Sequence, residues 1–147
     1  MDKSIEGHRG KPFRVVIEEG KVREFARAVK SSNSAYVAEG PQPTSPVTFL
    51  ASSVFWQRPE NLPWGEAQLK WERILHGEQE FVFPGPPPAA GTELTAESRI
   101  DRIFEKEGKR GGAMTFVEAV TEYRDGTGAV VAEARSTIIE TSQAPGS

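Results

Sequence analysis

Residues 46–55 read Pro-Val-Thr-Phe-Leu-Ala-Ser-Ser-Val-Phe, and this stretch decides the fold. Thr44 or Ser45 can cap a helix here, and Pro46 suits a first turn, where a missing N–H costs little. Apolar side chains would lie nearly all round such a helix, and a helix of that kind is stable in water only when other elements wrap it. The sequence therefore predicts a buried central helix from Pro46 to about Phe55.

A short strand and an amphipathic helix precede this segment. The stretch from Phe13 to Glu18 is rich in Val and Ile, which favours a strand. From Glu19 to Lys30, apolar residues recur at the i, i+3, i+4 and i+7 positions of a helix that lays one face on a core. These residues are Val22, Phe25, Ala26 and Val29. The polar stretch from Ser31 to Ser45, which contains a Gly and two Pro, is predicted to be a loop.

A long run with alternating side chains opens the second half of the chain. From Gln68 to Phe83 the large apolar residues occupy odd positions, which predicts one strand with an apolar face. By this alternation His76, Glu78 and Glu80 share the polar face. Gly77, in the middle of the run, indicates a β-bulge or a close backbone approach.

Three further strands complete the chain. They are predicted at Leu94–Phe104, Ala113–Tyr123 and Val130–Glu140, and the last two are joined by a strong hairpin signal. The order of elements predicts an α+β hotdog fold, in which a curved antiparallel sheet of about five strands wraps around a central helix. We expect a single domain over residues 1–147, with its core from about residue 5 to residue 140 and a disordered tail over residues 141–147.

Composition narrows the range of functions. The net charge is −3 with no Lys/Arg cluster to offset it, which argues against a nucleic acid or an anionic membrane as partner. The absence of Cys excludes disulfides, thiol nucleophiles and Cys-ligated metals. No signal peptide is recognisable at the N-terminus, and no run approaches the ~20 apolar residues that span a bilayer. We therefore expect a cytoplasmic protein with no nucleic-acid or membrane partner.

The loop between the two predicted helices carries a family resemblance. It reads Ser-Ser-Asn-Ser-Ala-Tyr over residues 31–36 and leads to Pro-Val-Thr-Phe at residues 46–49. This resembles the MaoC-like hydratases, in which the loop reads Gly-Asp-x-Asn-Pro-x-His and the Asp and His are the acid/base pair that acts on an acyl thioester. Asn33 matches the Asn of that motif, whereas Ser31 holds the Asp position and Tyr36 holds the His position.

Weaker matches extend the resemblance from about Ile5 to Glu140. They include the helix Val22–Val29, the strand Leu75–Phe81, a Pro-rich bend that ends near Gly91, and a final hairpin. In this order they resemble the N-terminal-type, non-catalytic hotdog domain of MaoC-like dehydratases and the accessory subunits of 3-hydroxyacyl dehydratases. In that family a partner domain or subunit supplies the catalytic pair.

The resemblance implies a non-catalytic subunit that shapes the substrate channel of a heteromeric (R)-specific enoyl-thioester hydratase or 3-hydroxyacyl-thioester dehydratase. Its ligand would be an acyl-CoA or acyl-carrier-protein thioester, with no cofactor and no metal. It would form a heterodimer with a catalytic MaoC-like subunit, sheet edge to sheet edge, or else a homodimer. No residue of this chain is expected to be catalytic. The implied substrate-binding residues are Asn33, Tyr36, Pro46, Thr48, Phe49, His76 and Gly77.

The chemistry of the single residues supports the absence of a catalytic pair. Hydration of an enoyl thioester needs a base for water and an acid for the α-carbon. Tyr36 could serve as an acid and Ser31 as a hydrogen-bond donor, but neither is a competent base near neutral pH without a partner. An Asn in a loop such as this one often bonds its own backbone and fixes the turn, and we expect this structural role for Asn33.

Two alternatives stay open at this point. The chain could be an autonomous hotdog acyl-CoA thioesterase or hydratase whose acid/base groups are relocated, with His76 and Glu78 as the candidates. It could also be an acyl-binding module without chemistry. Aromatic residues of the central helix could line an acyl tunnel, although such residues more often fill a core, and Lys109 and Arg110 could meet the phosphates of the carrier arm, although a solvated turn is the simpler interpretation.

Overall fold

One antiparallel sheet organises the protein. The computed structural model describes residues 3–37, 42–67, 69–108 and 112–142. Its five strands lie in the order β1-β3-β4-β5-β2. The strands are β1 (Phe13–Val16), β2 (Ile74–Val82), β3 (Glu93–Glu107), β4 (Ala113–Arg124) and β5 (Val130–Glu140). The helices are α1 (Glu19–Ala28), α2 (Ser34–Val37) and four short 3₁₀ helices at Lys3–Ile5, Phe49–Trp56, Pro59–Asn61 and Trp71–Arg73.

Helix α1 covers the sheet with most of the face that the sequence predicts, but it ends at Ala28 rather than Lys30, and Val29 is 51% exposed. Val22 and Ala26 are fully buried. Phe25 meets Phe49 edge to face, with ring centroids 5.5 Å apart. The opposite side of the helix faces water at Glu24 and Arg27, and at the border of the buried face the half-buried Arg23 forms an i,i+4 ion pair with Glu19.

The inner face of the sheet, on the side of α1 and the 3₁₀ helix Phe49–Trp56, forms the core. Alternate residues of the strands point there, as the period of a strand requires. Burial of each such Val, Leu or Ile stabilises the fold by about 1.5–3 kcal/mol. The buried apolar positions on the strands include Val15, Leu94, Ala96, Ile100, Val117, Tyr123 and Ala132. The predicted hotdog arrangement is confirmed.

The central helix differs from its prediction in type and in burial. It is a 3₁₀ helix from Phe49 to Trp56, with three residues per turn, so every third residue shares a face. Phe49, Leu50 and Ser53 are buried. Val54 and Phe55, near the end of the helix, are 58% and 78% exposed. The helix is therefore not wrapped on all sides within the chain.

Strand β2 is shorter than predicted and contains the predicted bulge. It begins at Ile74, after a 3₁₀ turn, rather than near Gln68. His76 pairs with Ile138, and the next paired residue, Glu78, lies opposite Thr137, which leaves Gly77 as the extra residue. The bulge exchanges the two faces, because one inserted residue reverses the side on which all later side chains lie. The prediction that His76 shares a face with Glu78 and Glu80 is therefore wrong.

Backbone hydrogen bonds hold both ends of the described chain, and at the N-terminal end the N–H of Gly7 donates to the carbonyl of Ile100 in β3 at 2.9 Å. At the C-terminal end, the N–H of Thr141 donates to the carbonyl of Arg73 at 2.9 Å. The remaining tail, residues 143–147, lies outside the described residues. Among the described residues, no helix has the length and apolar character that crossing a bilayer requires.

Candidate functional site

The loop Ser31–Val37 is a capped turn. Asn33 caps α2, since its Oδ1 accepts the N–H of Ala35 at 3.0 Å and its carbonyl accepts the N–H of Tyr36 at 3.1 Å. The Oγ of Ser31 in turn accepts the N–H of Asn33 at 3.3 Å. Asn33 thus has the structural role that the sequence predicts, and together Ser31 and Asn33 hold the turn that carries Tyr36.

The loop offers hydroxyl and amide groups but no base. It contains no imidazole and no carboxylate between Ser31 and Val37. The two histidines lie elsewhere: Nδ1 of His8 is 2.7 Å from the carbonyl of Pro63, and His76 is on β2. Among the residues that the structure describes, no group of three or more His, Asp or Glu could hold a metal ion. The loop can donate hydrogen bonds to a ligand but cannot by itself remove a proton from water.

The candidate residues lie in three places within the chain. The loop lies near the start of β3, because Thr44 bonds the carbonyl of Ala35 and bridges to Ala89. His76 and Gly77 lie at the other end of the sheet, where the end of β5 pairs with the start of β4. The remaining candidates precede or open the 3₁₀ helix: Pro46 and Phe49 are buried and Thr48 is exposed.

The alternative acid/base couple, His76 and Glu78, is not assembled either. Glu78 pairs with Thr137 and Glu80 with Arg135, and both glutamates line a depression of about 440 Å³ on the outer face of the sheet. His76 pairs with Ile138, whose side chain lines the inner face. The two members of the couple therefore lie on opposite faces of β2. The phosphate-binding candidates Lys109 and Arg110 lie outside the described residues.

A cavity of about 210 Å³ lies between the 3₁₀ helix Phe49–Trp56 and the inner face of the sheet. Its walls are mainly apolar, with polar groups at a few points. The lining includes Leu50, Val54, Leu62 and Phe81, together with Ser53, Gln79 and Tyr123. Such a mixture suits a mainly apolar ligand that carries a polar group.

Tyr123 is the buried polar anchor of this cavity. Its hydroxyl shares a hydrogen bond of 2.7 Å with Oγ of Ser53, which ties β4 to the 3₁₀ helix. Burial raises the pKa of Tyr123 to about 12, although the bond to Ser53 works in the opposite direction. The phenol is therefore neutral near pH 7 and can bond a ligand without acting as a base.

Sequence reasoning missed the polar groups of the cavity. Tyr123 continues the alternation of Val117 and Ala119 on β4, and a hydroxyl at such an inward position requires a partner. Gln79 likewise occupies the same alternating set as Phe81. In both cases a polar residue stands at a position that the alternation predicts to face inward.

An exposed apolar surface adjoins the cavity. Val54 and Phe55 of the 3₁₀ helix protrude, and Val47 before it is 53% exposed. Nζ of Lys21 lies 5.8 Å from the ring centroid of Phe55 and 5.7 Å from that of Trp56. Large exposed apolar side chains of this kind make this region a candidate interaction surface.

Comparisons with known proteins agree with this fold. The family model described as "FAS1-like, dehydratase domain region" matches residues 4–134. A UPF0336 protein of Streptomyces coelicolor is 34% identical over 117 residues, which cover 74% of this chain and 77% of that protein. A UPF0336 protein of Clavibacter michiganensis is 31% identical over 126 residues, which cover 81% of this chain and 80% of that protein.

Solved structures show the same fold. The C-terminally truncated HadBC (3R-hydroxyacyl-ACP dehydratase) complex from Mycobacterium tuberculosis matches with a TM-score of 0.74 at 24% identity, over 95% of this chain and 98% of that chain. The ChsH1-ChsH2 complex from the same organism matches with a TM-score of 0.69 at 16% identity, over 97% and 89% of the two chains. A MaoC-like dehydratase matches with a TM-score of 0.76 at 18% identity, over 94% of this chain and 42% of that chain.

Proposed function

Because the chain belongs to the family of FAS1-like dehydratase domains and has the hotdog fold of the MaoC-like dehydratases, we propose that it is a non-catalytic, substrate-shaping subunit. The complex would be a heteromeric (R)-specific enoyl-thioester hydratase or 3-hydroxyacyl-thioester dehydratase. The observation that carries the proposal is the loop Ser31–Val37, which keeps the capping Asn33 but has Ser31 and Tyr36 in place of the acid/base pair.

The proposed division of labour follows from the reaction. A base removes a proton from water as its oxygen attacks C3 of the enoyl thioester, and an acid delivers a proton to C2. Donors near the thioester oxygen stabilise the enolate that forms between these events. We assign both proton transfers to a partner subunit with an intact Asp/His loop. This chain would supply a wall of the acyl channel.

The free edge of the sheet supports a hotdog partner. Strand β2 has nine residues and pairs only with β5 among the described strands. An unpaired strand edge of this length is a template for a strand of another chain. The exposed Val54 and Phe55 give such a partner an apolar surface next to the cavity. HadBC and ChsH1-ChsH2, which share the fold, are themselves complexes.

The cavity supports an acyl chain as the bound part of the substrate. We place the acyl group between the 3₁₀ helix and the inner face of the sheet, against Leu50 and Phe81, with Gln79 and Tyr123 as its polar contacts. Asn33 and Tyr36 would shape the mouth of the channel, with Pro46, Thr48 and Phe49 setting its position. His76 and Gly77 lie on the edge strand, and they would contact only the part of the substrate that lies on the partner's side of the channel.

Reconstitution tests the proposal. The purified chain alone should not hydrate crotonyl-CoA, whereas the chain co-expressed with a MaoC-like subunit that has the intact loop should do so. Strong hydration by the chain alone at neutral pH, lost on Tyr36→Phe or His76→Ala, would overturn the non-catalytic assignment. Tight acyl binding without turnover, even with the partner present, would instead indicate a binding module.

A further inference from the structure

The outer face of the sheet, on the side away from α1, carries a row of four apolar side chains. Phe104 of β3 pairs with Phe116 of β4, Phe116 with Ile139 of β5, and Ile139 with Leu75 of β2. The two Phe rings stack with their centroids 5.1 Å apart. All four side chains remain partly exposed, and Leu75 is 42% exposed. Nζ of Lys106 lies 5.1 Å from the ring centroid of each Phe, so this outer row is an apolar strip across four strands with a cation beside its aromatic end.

Charges of opposite sign stand at the two ends of the neighbouring row. This neighbouring row lies next to the outer row along the strands. In it Arg102 of β3 pairs with Glu118, Glu118 with Thr137, and Thr137 with Glu78 of β2. The guanidinium of Arg102 lies 4.7 Å from the ring centroid of Phe104. Within the part of the chain that the structure describes, neither Arg102 nor Glu78 forms an ion pair. Three strand spacings, about 14 Å, separate them, so they cannot meet within one chain.

We propose that a second copy of this chain docks on the outer row, face to face, about a two-fold axis that runs along the strands between β4 and β5. This rotation places each row of one copy opposite the same row of the other copy. It also places β3 of one copy opposite β2 of the other. Phe104 then faces Leu75, Phe116 faces Ile139, and Arg102 meets Glu78 twice across the contact. A second copy fits because the outer row, and the row that ends in Arg102 and Glu78, are each complementary to themselves under this rotation.

The next row has the same symmetry. Arg99 of β3 and Glu80 of β2 occupy its two ends, with Val120 and Arg135 between them, so the rotation again brings a cation over a carboxylate. These two residues already have partners within the chain, Arg99 with Glu122 at 2.7 Å and Glu80 with Arg135 at 3.4 Å. The unpaired Arg102 and Glu78 therefore carry the specificity of the contact.

This contact is independent of the proposed function. It uses the face opposite to the cavity, and it leaves the outward side of β2 and the exposed Phe55 free for a catalytic partner. Facing sheets pack about 10 Å apart with strand directions within about 30°, which keeps the rows aligned near the axis. The contact would join two such subunits whether or not each of them also binds a catalytic partner.

Charge exchange tests the contact. Sedimentation of the purified full chain over a range of concentrations should show a monomer–dimer equilibrium at low salt. Arg102→Glu and Glu78→Arg should each weaken self-association about tenfold, because each places two like-charged pairs across the interface. The double variant Arg102→Glu/Glu78→Arg should restore it to within about threefold of the original. The control Lys30→Glu, an exposed charge after α1, should leave self-association unchanged.

Cross-linking gives a second readout, because the chain has no Cys of its own. A mixture of Arg102→Cys and Glu78→Cys chains should be joined by a short bis-maleimide, and neither variant should be cross-linked efficiently alone. A chain that stays monomeric at every concentration would overturn the proposal. So would a dimer that tolerates both single variants, or single losses that the double variant does not repair. Weakening of catalytic-partner binding by Arg102→Glu would assign the outer row to that partner instead.

Discussion

At the scale of the residue, the stability of the fold depends on the polar side chains that packing buries. Tyr123 and Ser53 are both buried, and each satisfies the other. Their bond fixes the distance between the sheet and the 3₁₀ helix, and this distance sets the width of the cavity. The alternation of β4 predicts that Tyr123 points inward. Its partner Ser53 could not be predicted, because the sequence does not show that the segment Phe49–Trp56 is a 3₁₀ helix.

Removal of the Tyr123 hydroxyl should destabilise the protein. Tyr123→Phe leaves Oγ of Ser53 buried without a partner, and we expect a loss of about 1–2 kcal/mol in the free energy of unfolding. Ser53→Ala should cost a similar amount, and the double variant should lose less than the sum of the two. Urea denaturation measures all three. A Tyr123→Phe protein as stable as the parent would contradict the role of this bond.

The ion-pair cluster on the outer face predicts how stability depends on pH. Burial alone would raise the pKa of Glu122, but hydrogen bonds from Arg99 and Arg124 lower it below its usual 4.5. A depressed pKa gives stability that is complete above the unfolded pKa and is lost as pH falls through the folded pKa. Glu122→Gln should therefore be less stable than the parent at pH 7, and the difference should shrink below about pH 4.5. A difference that stays constant from pH 7 to pH 3 would contradict this assignment.

At the scale of the element, the sequence predicts strands and α1 better than the segments next to the site. Residue composition, alternation and helical period identify α1 and all five strands, although the predicted start of β2 is too early. The segment Phe49–Trp56 is apolar on every side, so its pattern cannot distinguish a 3₁₀ from an α-helix or show which side is covered. Gly77 correctly indicates a bulge. This bulge exchanges the two faces of β2, so His76 does not share a face with Glu78 and Glu80.

Gly77 should be intolerant of a side chain. An added Cβ would lie 2.9 Å from Cδ1 of Ile139 and 3.3 Å from the carbonyl of Thr137. We expect Gly77→Ala to cost about 1 kcal/mol in stability. Gly85→Ala should change stability little, since nothing lies within 4 Å of the added atom. Ile139→Val removes the clashing methyl group, so Gly77→Ala should cost less in that background; an equal cost in both backgrounds would contradict the stated cause.

At the scale of the whole molecule, the chain has a cavity on the inner face of its sheet and a loop, Ser31–Val37, without a carboxylate or an imidazole. The sequence shows the composition of the loop directly, because Ser31 and Tyr36 hold the positions at which the family resemblance expects Asp and His. The sequence could not show that Phe55 is left exposed or that β2 is a free edge, since both follow from how the elements assemble. The second hotdog subunit that we propose would cover the apolar surface and pair with this edge.

The most direct measurement is kcat for crotonyl-CoA hydration by two versions of the reconstituted complex. In one, the loop His of the catalytic partner is replaced by Ala; in the other, this chain carries Ser31→Ala, Tyr36→Phe and His76→Ala together. We predict that the first loses at least about a hundredfold in kcat, the scale of a lost acid or base, and that the second stays within about threefold of the parent. Survival of activity in the first complex and its loss in the second would contradict the account.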